Sequence, residues 1–176
     1  ICAEYAAKAL FDAKGNADEV HTFLQNAADS KQMQLRAKLL HQLTVKDQTD
    51  LKADILEQHI QLAPAQGDLP EEIYIPYLLS PRVEHETLTA FRQGLLDAFS
   101  AEQKELFAAD PHQLWAWILQ HISSNDDREY GSLTTTPNAL LKVGYGSHNS
   151  KKVLFTAICR TIGVPARINP ETHEIG

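Results

Sequence analysis

Apolar residues recur at helical spacing through most of the chain. Tyr5, Leu10 and Phe11 are so placed in an alanine-rich stretch over 3–14 that Gly15 ends, and Val20, Phe23 and Leu24 share one face of 17–28. Leu35, Leu39 and Leu40 repeat the pattern across 33–43. Thr44 and Asp47 then offer caps for a fourth helix that turns Leu51, Ile55, Leu56 and Ile60 inward. Short polar connections make these helices antiparallel neighbours. No sustained period links them, so the pattern predicts an irregular helical subdomain over 1–63 rather than a stacked repeat. Pro64-Ala65-Gln66-Gly67-Asp68-Leu69-Pro70 breaks the periodicity and is read as a linker, with a second unit over 71–176.

Beyond the linker, Pro76 inside the apolar run 73–79 excludes a central strand and favours a short helix or an irregular buried segment. Leu88, Phe91, Leu95 and Phe99 predict a helix over 86–99. Acidic Glu84 and Glu86 at its start suit the positive end of a helix dipole. Ser100 with Gln103 forms a capping box, and Asp110-Pro111 opens a helix carrying Leu114, Trp115, Ile118 and Ile122. Trp115 and Trp117 lie two apart and cannot share a face, which predicts one for the core and one for the surface. The polar stretch 123–136 reads as a long loop, and Thr136-Pro137 starts a short helix that Gly144 closes.

One stretch is apolar almost all round. Val153, Leu154, Phe155, Ala157, Ile158, Cys159 and Ile162 leave no broad polar stripe, which predicts a helix covered on most sides. Ser147, Asn149 and Ser150 can cap its start, and Gly163 followed by Pro165 stops it. Residues 166–169 then read as the beginning of an extended segment.

The residues bounding this helix resemble a known signature. Tyr145-Gly146-Ser147-His148 and Arg160-Thr161-Ile162-Gly163-Val164-Pro165-Ala166-Arg167 align without a gap to the Y-G-x-C and R-x-x-G-I-P-A-R of the transglutaminase-like superfamily of papain-like folds. More loosely, the stretch from Tyr74 to Arg92 resembles segments that precede such domains in large bacterial proteins. The resemblance implies a mostly α chain here: a helical N-terminal subdomain leads into the first, helical part of an α+β core whose sheet is largely missing. It also implies that His148 stands where the family carries its nucleophilic cysteine. At a helix N-terminus the dipole stabilises a thiolate, whereas it pushes an imidazole toward neutrality, and imidazole does not form the stable acyl-enzyme that amide chemistry needs.

Composition narrows the field. The chain has 176 residues and a net charge of −7, which argues against nucleic acid as its main partner. No apolar run approaches the roughly 18 residues of a membrane span. His112 and His121 lie too far apart for a metal pair, and no metal or cofactor motif is present. The chain begins at Ile1 and ends just after an extended segment starts, as expected of a piece of a longer protein. Family resemblance places that protein outside the cytoplasm, in the periplasm or at the cell surface.

Three functions follow as expectations. The first is a transglutaminase-like domain without thiol chemistry, binding or scaffolding a peptide or glycan. Its vestigial site is Ser147, His148 and Ser150, and its binding residues are Tyr145, Asn149, Trp115 and Trp117. The second is an active amide hydrolase or acyltransferase with a non-cysteine nucleophile. The third is a protein-interaction adaptor built on the N-terminal helices.

Overall fold

The structure, a computed structural model, describes residues 2–124 and 134–176. Residues 125–133, most of the predicted polar loop, lie outside the described residues. The described chain is mostly helical, as the pattern predicts.

Helix α1 (Cys2–Ala13) runs through a 3₁₀ turn into α2 (Ala17–Gln25), and α3 (Ser30–Gln42) packs back on both. Val20, Phe23, Leu24, Leu39 and Leu40 are buried as their spacing predicts, but Phe11 faces solvent at 83% exposure. The fourth predicted helix is two: α4 (Val45–Asp50) and α5 (Ala53–Leu62). The break at Leu51 is made by groups distant in sequence. Asn16 Nδ2 donates to the carbonyls of Gln48 and Leu51, each at 2.9 Å, and satisfies the end of α4. Glu19 accepts from the Ala53 amide at 2.8 Å and caps the start of α5. Thr44 and Asp47 form the capping box of α4.

The 71–79 stretch is helical, α6 (Glu71–Tyr74) continuing as a single π-turn over Ile75–Leu79 that contains Pro76. Tyr74, Ile75, Leu78 and Leu79 complete a first hydrophobic cluster with Phe23, Leu39, Leu40 and Leu56. Helix α7 (Phe91–Ala98) starts five residues later than its apolar spacing predicts. Glu86 does not serve its dipole. Its buried carboxylate accepts from the amides of Val83, at 3.0 Å, and Glu84, at 2.9 Å, which holds that segment out of helix.

Helices α8 (Ala101–Ala109) and α9 (Pro111–His121) follow with the predicted caps, then β1 (Ser123–Ser124), α10 (Pro137–Val143), β2 (Tyr145–Gly146) and α11 (His148–Ile162). The two short strands pair in parallel. Gly144 and Gly163 both take the left-handed conformation that ends α10 and α11. After α11, Ile168 bridges Ile175 antiparallel in a short hairpin. A second cluster joins Phe91, Leu95, Phe107, Leu114, Ile118, Leu154 and Ile158.

Two buried arginines tie these clusters together. Arg92 donates from Nε to His59 Nδ1 at 3.0 Å, from Nη1 to the Arg160 carbonyl at 2.7 Å, and from Nη2 to the carbonyls of Leu78 and Leu79. Because His59 accepts at Nδ1, its Nε2 carries the proton donated to the Thr89 carbonyl at 2.8 Å. Burial, with the Arg92 cation beside it, pushes the pKa of His59 down to about 3, so the ring is neutral. Arg160 donates to the carbonyls of Ala166, Ser80 and Arg82 at 2.7–2.9 Å. Burial lowers Arg92 to about 9 and Arg160 to about 10, and both remain charged at neutral pH. Arg160 therefore ties the 80–82 segment and Ala166 to the end of α11.

Candidate functional site at the start of α11

Helix α11 is buried as its sequence predicts: every residue from Ser150 to Thr161 is covered. Its leading end emerges at the surface, so the helix presents one terminus, not a side. Ser147 is the N-cap, with Oγ accepting from the Ser150 amide at 3.1 Å and donating to Ser150 Oγ at 3.3 Å. Ser150, fully buried, also accepts from the Thr135 amide at 2.9 Å. The two hydroxyls thus shape the loop around the helix start.

His148 is the first residue of α11 and is exposed. Its ring meets Trp115 edge to face, with centroids 5.6 Å apart, and Trp115 in turn packs at 90° on Phe155. Tyr145, 42% exposed, comes to the same region from β2. Trp115 and His148 thus meet at one end of the molecule, with Tyr145 three residues before His148 in the chain. Trp117 does not join them. It lies on the other side of α9, packed on Phe99 and Phe107 and stacked on His121. Neither tryptophan is core and neither is fully exposed; both are half-buried.

Asn149 is turned to a polar cluster. Its Nδ2 donates to Glu84 and, at 3.3 Å, to Thr134 Oγ1. The other oxygen of Glu84 lies 3.6 Å from His173 Nδ1, and Lys152 Nζ donates to the His173 carbonyl. Lys151 Nζ donates to Ser124 Oγ at 2.9 Å, tying α11 to β1. Periodicity gave no signal for these lysines, which are buried on a helix read as apolar all round. The 169–175 turn is what brings His173 to Glu84, a contact that spacing in the sequence does not signal.

The described thiols are elsewhere. Cys159 is buried in α11 with its pKa pushed up to about 12 by burial, and Cys2 lies in the first turn of α1. A thiol so shifted is protonated and inert at neutral pH. Among the described residues no group of three or more His, Cys, Asp or Glu could hold a metal ion. No helix of the described residues is long and apolar enough to cross a membrane.

A buried helix entered through a small-residue loop and left through Gly-Val-Pro-Ala-Arg is the arrangement the resemblance implies for a papain-like core. A family model of the transglutaminase-like superfamily matches residues 94–171, just under half of the chain, from the middle of α7 into the final hairpin. No curated protein and no solved structure matches the chain.

Proposed function

We propose that residues 71–176 form the first part of a transglutaminase-like domain that has lost thiol acyl transfer. The domain serves as a binding or scaffolding module for a peptide or glycan, within a larger exported protein of bacterial origin. The N-terminal helices over 1–63 form a supporting subdomain that shares its hydrophobic cluster with Tyr74–Leu79. One observation carries the proposal: the residue at the leading end of the buried helix, where the resemblance puts the nucleophile, is the imidazole of His148.

The chemistry follows from position. The N-terminus of α11 would lower the pKa of a thiol placed there. The sulfur that α11 does carry, at Cys159, lies eleven residues further on, about 16 Å along the axis, and is covered. Ser147 and Ser150 spend their hydroxyls on the cap and on the Thr135 amide. What reaches solvent is the exposed His148 ring against the half-buried Trp115, next to the Asn149–Glu84 pair, a set suited to stacking and hydrogen bonding rather than to covalent attack.

The test incubates the chain with a glutamine-containing peptide and a primary amine, and with the peptide alone. No hydrolysis or cross-link above background is expected, while the peptide or an oligosaccharide perturbs tryptophan fluorescence in the wild type and not in Trp115→Ala. Turnover abolished by Ser147→Ala or Ser150→Ala would instead establish an active enzyme with a serine nucleophile.

A further inference from the structure

At the opposite end of α11, roughly 18 Å along the axis from His148, the hairpin and the π-turn enclose a cleft of about 290 Å³. Its walls include Tyr77, Arg82, Arg160, Arg167 and Ile168, and no aspartate or glutamate lines it among the described residues. Three arginines and no carboxylate around one cleft is unexpected in a chain of net charge −7.

The three guanidiniums differ. Arg82 is neutralised at the back of the cleft, where Asp47 takes its Nε and Nη2 and Glu86 lies 3.5 Å from Nη1. Arg160 is 2% exposed, and its Nε and Nη1 are held by three carbonyls. Its Nη2 has no acceptor among the described residues. Arg167 is exposed at the rim, its guanidinium 5.4 Å from the centre of the Tyr77 ring with Nη1 3.3 Å from the Tyr77 hydroxyl.

Among the described residues the buried carboxylates are Asp47 and Glu86, against the cations of Arg82, Arg92 and Arg160 around and behind the cleft, so the charge there does not cancel. Carbonyls solvate a buried cation but do not neutralise it, and a buried charge favours an ionic partner. The lining also includes the apolar Pro76, Val83, Ile168 and Pro170. The cleft therefore offers a planar donor fork, a tyrosine face and a small apolar wall.

We propose that this cleft binds a carboxylate carried on a short apolar group, such as the C-terminal residue of a peptide, between Arg160 and Arg167. The carboxylate accepts from Arg160 Nη2 and from the Arg167 fork, and the adjoining side chain lies along Ile168 and Pro76. The site is separate from the His148 end and holds whether or not that end is catalytic.

The experiment titrates the whole chain by calorimetry with N-acetyl-alanyl-leucine, with its C-terminal amide, and with inorganic phosphate. The free acid is expected to bind about tenfold more tightly than the amide, and more weakly as sodium chloride is raised. Arg167→Gln, on an exposed side chain, is expected to remove that tenfold preference while leaving the melting temperature unchanged. Equal affinity for acid and amide, an unaltered preference in Arg167→Gln, or tighter binding of phosphate than of the acid would each overturn the assignment.

Discussion

The proposed loss of thiol chemistry turns on a single side chain, His148. Around it stand a serine cap, a buried helix behind, and the positive end of a dipole in front. The substitution His148→Cys should therefore yield a thiol that reacts with iodoacetamide near neutral pH, in contrast to Cys159, which should be alkylated only after unfolding because burial holds it protonated. Peptide mapping of the alkylated chain distinguishes the sites, and rapid labelling of Cys159 in the native wild type would contradict its placement. Ser147→Ala should lower stability by about 1 kcal/mol through loss of the cap, read as a shift of the urea midpoint without change in slope.

Element by element, what could be read from the sequence separates cleanly from what could not. Helix α11, the capping boxes at Thr44 and Ser100, the Asp110 cap and the glycine stops at 144 and 163 are local signals, and the helices start or stop at each. The break between α4 and α5 and the late start of α7 are not local. The first needs Asn16 and Glu19, more than thirty residues away, and the second needs a carboxylate folded back on its own segment and His59 holding the Thr89 carbonyl. The same limit applies to the site. Ser147, His148 and Ser150 are contiguous and legible, whereas the approach of Trp115 to His148 and of Glu84 to Asn149 depends on packing between distant elements. The buried lysines of α11 show the reverse failure, since a charged residue on an apolar helix signals nothing until its partner is placed. Arg92 is the sharpest case. Arg92→Met would leave three buried carbonyls and His59 Nδ1 without their donor, and is expected to cost about 3 kcal/mol or more in chemical denaturation. A loss below about 1 kcal/mol would mean that these contacts do not hold the clusters together.

For the whole molecule, Arg92 and Arg160 couple the two hydrophobic clusters, so urea unfolding followed by tryptophan fluorescence and by far-ultraviolet dichroism should give coincident transitions. The tryptophans lie only in the second cluster, which makes non-coincidence a direct sign of independent unfolding. His59 sets an acid limit on that stability. Its folded pKa, about 3, lies below the unfolded value near 6.5, so the unfolded chain takes up the proton first and stability falls as pH drops from 6.5 toward 3. From pH 6.5 to 5 the loss should be about 2 kcal/mol, before most carboxylates titrate, and His59→Gln should flatten that slope. The claim on which the functional account rests is that no nucleophile stands at the head of α11. The most direct measurement is peptide mapping of the native chain and of His148→Cys after exposure to an activated acyl ester: the account predicts a stable acyl adduct at position 148 of the variant and none on Ser147, His148 or Ser150 of the wild type. A stable adduct on the wild type, mapped to Ser147 or Ser150, would contradict it.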